Sequence, residues 1–240
     1  MKILVCFKFI RDEEGISVNA DRTINLDSAP WVISPYDLNA IEAGMKLAAE
    51  AGESTVEVLT VGGEALDNSK MRKAVLSRGP VKMYGVKAGE CGDMYSTAVL
   101  LKGAIEKIGD ADLVICGEGS GDMYSQAMGN VLADLSFEDG AVYASRSSGK
   151  RVEKLKLNGP AVVSVTSDIC RPHIPSMKDI MAAGKKPVEV WDASEFESVS
   201  APVTTVSVLA PERTDRMQTV FKASDETGID EFVKALKKSI

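Results

Sequence analysis

The sequence predicts an α/β fold with an open, mostly parallel sheet and helices on both faces, followed by an extended C-terminal arm and helix. Short apolar runs of strand length alternate with amphipathic segments of helix length. This alternation is typical of βαβ units with right-handed crossovers. With 240 residues and 45% hydrophobic content, the chain can bury one large core. We expect an α/β domain over residues 1–190, and an arm and helix over residues 191–240.

Each predicted element of the first half has its own start or stop signal. Ser34 and Pro35 open the first helix and Gly52 closes it, while Gly79 and Pro80 end the next helix. In chain order, the sequence predicts a strand over 3–10, a loop or small hairpin over 11–27, a helix from 34 to 52, a strand over 56–61, a helix from about 66 to 76, a strand over 83–86 and a helix over 94–108.

The stretch from residue 112 to residue 135 organises the remainder of the fold. It predicts a buried strand over 113–116, a glycine-rich turn, and a helix that begins near Asp122 or Ser125. Such a turn leaves several backbone N–H groups pointing outward at the positive end of the helix dipole, where a phosphate can bind. The alternative is an ordinary strand-to-helix turn in which Asp122 only caps the helix.

Three chain segments are expected to meet at one edge of this sheet. Ligands of parallel α/β sheets bind at the carboxyl ends of the strands, near a topological switch point. Residues 6–9, 61–63 and 117–122 each follow a predicted strand. This edge is therefore the predicted ligand site.

The second half of the chain follows a different pattern. Strand-like runs cover residues 141–144, 152–157 and 161–166, and a proline-containing loop over 171–187 surrounds a short helix. Residues 188–213 are too polar to form a core, and we interpret them as an arm. Residues 229–240 form an amphipathic helix, whose apolar stripe packs either on its own domain or on a partner.

Composition excludes several classes of function. The net charge of −7 and the pI near 5.0 argue against a nucleic-acid or anionic-membrane surface. The four cysteines have no CxxC spacing, and the one histidine, His173, leaves no partner histidine for a zinc site. We predict no membrane span and no export signal, and we place the protein in the cytoplasm.

Five sequence motifs, in order, resemble the β subunit of electron transfer flavoproteins, and more closely its fix-type, carnitine-linked branch. The resemblance covers residues 1 to about 191. The motifs are ISPYDLNAIEA (33–43), LTVGG (59–63), KAVLSRGP (73–80), GEGSGDMYSQ (117–126) and VTSDICRPHIPSMKDIMAAGKKP (165–187).

The resemblance implies a Rossmann-like, adenine-nucleotide-binding fold in a heterodimer with a larger, FAD-carrying α subunit. The β subunit of this family holds either AMP as a structural ligand or a second FAD. Similarity to the fix-type branch favours FAD, with AMP as the alternative. The resemblance carries the family's nucleotide-binding positions onto Cys6, Phe7, Lys8, Asp37, Asn39, Gly62, Gly63, Gly117, Gly119, Gly121, Asp122, Ser125 and Gln126.

Two departures from the family pattern bear on this site. The family's glutamine, five residues after the aspartate, is Ala127 here, and Gln126 precedes it. A displacement of one residue along a helix turns a side chain by about 100°. The motif therefore predicts the family more firmly than it predicts the identity of the ligand. The path from Leu135 to Pro160 is also shorter than in the family and lacks its acidic turn. That shortening either alters the α-subunit interface or cofactor environment, or is a tolerated hairpin deletion.

The proline-containing loop resembles the segment with which the family docks on acyl-CoA dehydrogenases, and its hydrophobic anchor corresponds to Met177. The alternative is that Met177 caps the underlying core. The predicted docking residues are Pro172, His173, Ile174, Met177, Ile180 and Met181.

The family's activity implies an electron carrier subunit rather than a stand-alone enzyme. It would pass electrons between an acyl-CoA dehydrogenase-type flavoenzyme and a further acceptor, with NADH-driven electron bifurcation as an extension. One rival interpretation is a non-redox, AMP-binding scaffold and docking subunit of the same heterodimer. Another is a stand-alone, homodimeric sensor of the related universal-stress-like fold, against which the docking loop and the arm argue.

Overall fold

A computed structural model describes residues 1–89, 93–122, 124, 126, 131–132, 134–197, 205–212, 219–225 and 227–239. The helices in these ranges are α1 Pro35–Ala51, α2 Ser69–Leu76, α3 Met94–Ile108, α4 Met177–Ala183 and α5 Gly228–Ser239. The strands are β1 Lys2–Cys6, β2 Phe9–Arg11, β3 Ser17–Val18, β4 Ile24–Asn25, β5 Trp31–Ile33, β6 Thr55–Gly62, β7 Lys82–Lys87, β8 Leu113–Gly117, β9 Val131–Leu132, β10 Asp134–Glu138, β11 Ala141–Ser148, β12 Arg151–Leu157, β13 Ala161–Val165 and β14 Val188–Asp192.

A seven-stranded parallel sheet in the order β14-β7-β6-β1-β8-β13-β9 forms the centre of the molecule. From β1 the chain proceeds outward through β6 and β7, then returns to place β8 on the other side of β1. The strand order therefore reverses between β1 and β8, which makes this the topological switch point. The predicted open α/β fold is confirmed.

Alternate residues of β1 enter two separate cores. Ile3 and Val5 pack on the side of α1 and α2, whereas Leu4 and Cys6 pack on the side of α3. Since successive side chains of a strand point to opposite faces, a continuous apolar run such as residues 3–6 fits a strand that is covered on both faces. Helices therefore cover both sides of the sheet.

The helix boundaries follow from local chemistry. Pro35 occupies the first turn of α1, and Gly52 ends that helix with a φ of 76°, a conformation that favours glycine. The Asp93 side chain caps α3 by accepting hydrogen bonds from the backbone N–H groups of Tyr95 and Ser96. The predicted helix over residues 94–108 matches α3 in both bounds.

The shortened region before Pro160 forms a regular substructure. Strands β10, β11 and β12 pair as two successive antiparallel hairpins. Val142 and Ala144 of β11 are buried in the core on the α1 side. Arg146 pairs with Glu153 across the second hairpin at 2.7 Å. Residues 134–157 thus form a three-stranded antiparallel sheet that contributes Val142 and Ala144 to the core.

The predicted first strand, residues 3–10, is wrong in its length. The structure divides it into β1 and β2, and β2 pairs antiparallel with β5 in a separate small sheet. The break occurs at Lys8, whose backbone N–H donates to the Asp37 carboxylate at 2.7 Å rather than to a neighbouring strand. Apolar patterning did not reveal this side-chain acceptor.

The helix predicted from Asp122 or Ser125 toward Leu135 is also wrong. Tyr124 and Gln126 have φ values of 43° and 51°, which a right-handed helix does not allow, and β9 and β10 occupy the end of the stretch. The start proposed at Ser125 lies outside the described residues.

The predicted arm begins later than residue 188. Strand β14 pairs in parallel with β7 at the edge of the main sheet, and Trp191 is buried with its ring stacked on Tyr84 at a centroid distance of 5.3 Å. A strand at a sheet edge can carry charged residues, so the polar composition of 188–192 concealed it.

The described parts of the arm include residues 205–212 and the tail helix. Residues 205–212 reach the hairpin of β3 and β4. There Leu209 and Thr23 form an isolated antiparallel β-bridge, and the Arg22 side chain donates a hydrogen bond to the Ala210 carbonyl at 2.8 Å. The predicted tail helix is present as α5, although Ile240 lies outside the described residues. In α5, the stripe residues Ile229, Phe232, Val233 and Leu236 are exposed. Over the described ranges, we find no helix with the length and apolarity that a bilayer crossing requires.

Candidate cofactor site and docking surface

The carboxyl ends of β1, β6 and β8 meet at the edge that the sequence predicted. The parallel registers of β1 with β6 and with β8 bring the segments after Cys6, Gly62 and Gly117 to one end of the sheet, at the switch point. This is where ligands of open α/β sheets bind.

Asp37, in the first turn of α1, connects the two strands that flank the switch point. It accepts a hydrogen bond from the backbone N–H of Lys8, after β1, and another from that of Gly117, at the end of β8. Burial raises the pKa of the Asp37 carboxyl to about 7, although these two N–H donors and the Lys8 charge act in the opposite direction. The carboxylate occupies the N-terminal end of α1, where an anion is favoured.

A second acidic group lies close to the same strand end. The Lys8 ammonium contacts the Asp122 carboxylate at 2.5 Å, and both side chains remain partly exposed. This ion pair connects β1 to the turn after β8. It places one positive and one negative group at the rim of the edge, within reach of solvent.

The glycines of this edge fall into two groups. A Cβ at Gly117 would lie 2.6 Å from Asp37 Oδ1 and 2.9 Å from the Tyr36 backbone, so Gly117 permits close packing of β8 against α1. Gly119 and Gly121 similarly lie against the side chains of Tyr124 and Ile10. In contrast, a Cβ at Gly62 would meet nothing within 4 Å, and one at Gly63 only the Ala88 carbonyl at 3.7 Å. The open backbone is at the end of β6.

The turn after β8 is held by contacts within the chain. The Tyr124 ring lies 5.0 Å from that of Tyr36, and the Gln126 amide donates to the Tyr124 hydroxyl at 3.1 Å. Ser125 lies outside the described residues. Gln126 is exposed and directed toward Tyr124.

Cys6 and Phe7 form the buried floor beneath this edge. A hydrogen bond to Cys116 and burial raise the pKa of the Cys6 thiol, which indicates a core thiol rather than a nucleophile. Phe7 packs edge-on against Phe9, with a centroid distance of 5.0 Å. Within the described residues, no three acidic, histidine or cysteine side chains are grouped to hold a metal ion.

Asn39 connects α1 to the segment after β13. Its amide nitrogen donates to the carbonyls of Ser167 and Cys170, at 2.8 and 2.6 Å. The Ser167 N–H in turn donates to the Glu118 carboxylate at 3.0 Å. The structure therefore places the Asn39 side chain on the loop that leads to α4. The sequence did not single out Glu118, although it lies within the GEGSGDMYSQ motif.

The segment from Ile174 to Met181 presents large apolar side chains to solvent. Ile174 is 92% exposed, Met177 and Met181 are each 73% exposed, and Ile180 is 41% exposed. We call these four residues the docking surface. Because Met177 is largely exposed, the alternative in which it caps the core does not fit. Pro172 is partly buried at the start of the segment.

Polar contacts hold the backbone at His173. Its backbone N–H and its Nδ1 both contact Glu42 Oε2, at 3.2 and 2.6 Å, and its carbonyl accepts a hydrogen bond from Arg78 Nη1 at 2.8 Å. Glu42 and Arg78 were not among the predicted site residues. Both belong to motifs that carry the family resemblance, ISPYDLNAIEA and KAVLSRGP, which was the available signal.

Comparison with protein families agrees with this arrangement. The family model described as "electron transfer flavoprotein domain" matches residues 22–196. The match begins after β1 and includes β6, β8, the turn after β8 and the docking surface. The chain therefore belongs to the electron transfer flavoprotein family.

Proposed function

We propose that this chain is the β subunit of a heterodimeric electron transfer flavoprotein. It would bind FAD at the carboxyl edge of β1, β6 and β8, and pass electrons between an acyl-CoA dehydrogenase-type flavoenzyme and a further acceptor. The proposal rests on two features found together in one member of this family: an open backbone at the end of β6, beside the switch point, and an exposed apolar docking surface. NADH-driven electron bifurcation extends the proposal if the ligand is FAD.

The residues at the edge fit a nucleotide. Gly62 and Gly63 leave the end of β6 open to close approach by a ligand. Lys8 supplies a partly exposed positive charge. Thr60, two residues before Gly62, has a buried hydroxyl for which the described residues provide no partner, and a buried hydroxyl of this kind gains from a polar ligand.

The chain's own contribution would be binding and orientation. FAD, when bound, supplies reversible uptake of one or two electrons. Lys8 would neutralise phosphate charge, and the Asp37 bridge would hold the ends of β1 and β8 at a fixed separation. The exposed stripe of α5 would pack on the α subunit, since a stripe of four exposed apolar side chains favours a partner.

The ligand that co-purifies with the heterodimer tests this proposal. We would denature the complex, then identify and count the released nucleotides by chromatography and absorbance. Two FAD per heterodimer would support a redox flavin in this chain, and one FAD with one AMP would support the non-redox scaffold. A homodimer that carries neither ligand would overturn the proposal in favour of a stand-alone sensor.

A further inference from the structure

Hydrogen bonds, rather than burial of its side chains, hold the docking surface in place. In α4, Ala183 is the one residue that is buried, and the capping box of Ser176 and Asp179 orders only the first turn of this helix. Seven residues make a short helix that is marginal without other contacts. Other groups must therefore set where the four exposed side chains lie.

One set of these groups converges on His173, the residue that precedes Ile174, while after α4 Lys186 Nζ donates to the Leu76 and Gly79 carbonyls. A single oxygen, Glu42 Oε2, contacts both the backbone N–H and the Nδ1 of His173, and Arg78 Nη1 donates to its carbonyl. The Glu42 side chain is only 13% exposed, whereas that of His173 is 44% exposed. A rigid helix, α1, thus holds the base of the loop while the imidazole remains accessible to protons.

The contact with His173 favours the ionised form of the Glu42 carboxyl. Burial acts to raise the pKa of Glu42, but the hydrogen bonds and charge of His173 outweigh it, and the pKa of Glu42 is lowered. Lys46 on α1 and Arg78 after α2 also face the Glu42 carboxylate, while Asp179 on α4 faces His173. The ionised Glu42 therefore makes a charge-assisted hydrogen bond with Nδ1 of the ring.

We propose that Glu42 is a positioning residue for partner docking. Through His173 it holds Ile174, Met177, Ile180 and Met181 in the arrangement that an apolar pocket of the dehydrogenase accepts. This inference rests on the proposed docking function. It adds a role in docking for a residue of α1 that lies outside the docking surface.

The first experiment measures dehydrogenase affinity for the co-purified heterodimer. We expect Glu42→Gln, which keeps an oxygen acceptor for His173, to weaken docking about threefold, and Glu42→Leu to weaken it about tenfold. Glu106→Gln is the matched control, because it removes the same charge from an exposed pair with Lys102 on α3, on the opposite face of the sheet. The control should keep the wild-type affinity.

A second measurement is independent of the dehydrogenase. The chain has one histidine, so ¹⁵N spectra of a complex labelled only in this subunit report its tautomer directly. In the neutral ring we expect the proton on Nδ1 in the wild type, where Glu42 accepts it, and mainly on Nε2 in Glu42→Leu.

The two measurements separate the possible failures. An unchanged tautomer in Glu42→Leu, or an unchanged affinity in that variant while Met177→Asp weakens docking, would overturn the positioning role of Glu42. If Met177→Asp leaves docking intact, the proposed docking surface itself is misplaced. Equal losses of affinity in Glu42→Gln and Glu42→Leu would show that the hydrogen bond to His173 does not set the affinity, and would also overturn the proposal.

Discussion

The cofactor edge and the docking surface are built in opposite ways. At the edge, a buried carboxylate and glycine backbones pack β1, β8 and α1 together, and the contacts are short and enclosed. At the docking surface, apolar side chains are exposed, and polar groups beneath them fix the backbone. A site made by close packing responds sharply to any added volume or charge, whereas one held by hydrogen bonds responds gradually.

The largest expected effect concerns the charge of Asp37. The folded protein retains this proton up to about pH 7, whereas an unfolded aspartate releases it near pH 4. Stability from this group should therefore fall as pH rises from about 4 to about 7, by about 4 kcal/mol at 1.4 kcal/mol for each pKa unit. Urea unfolding at several pH values should show this fall in the wild type and not in Asp37→Asn. Parallel curves for the two proteins would contradict it.

The second effect distinguishes glycines that permit close packing within the protein from glycines that leave room for a ligand. Gly117→Ala should destabilise the protein by about 3 kcal/mol, because its Cβ would meet the Asp37 carboxylate and the Tyr36 backbone. Gly62→Ala is the matched variant, since its Cβ has open space. It should unfold like the wild type but retain less nucleotide. If both variants unfold alike, the division into two groups is wrong.

The third effect tests the docking surface. Met177→Asp should weaken dehydrogenase binding about 30-fold, as expected when a charge replaces an exposed apolar anchor at an interface, while the nucleotide content stays unchanged. Val152→Asp makes the same kind of change at another residue that is also 73% exposed, on β12, and should have no effect on this binding. Titration calorimetry measures both. Equal losses in the two variants would indicate a general charge effect.

The smallest effect concerns the start of α4. Ser176→Ala removes the side chain that caps this helix and should weaken docking about two- to threefold, in line with the usual contribution of an N-cap. Thermal unfolding of the whole domain should hardly change, because the helix buries little. A large drop in melting temperature would instead show that α4 supports the core.

The sequence by itself determined the alternation of elements, the carboxyl edge and the exposed loop. The bounds of α3 and the positions of α1, β6, β7 and β8 followed from apolar periodicity and from caps, which are local signals. The family resemblance rested on motifs that the matched family model also covers. Those motifs contained Asp37 and Glu42, but their partners were not predictable from periodicity.

Only the tertiary structure decided what each side chain contacts. The break at Lys8, the turn conformation at Tyr124 and Gln126, and the edge strand β14 all depend on groups far away in sequence, such as Asp37 and β7. Asn39 likewise contacts the Ser167 and Cys170 carbonyls more than 120 residues away. Local propensity does not encode such contacts, since they arise only when the sheet brings distant segments together.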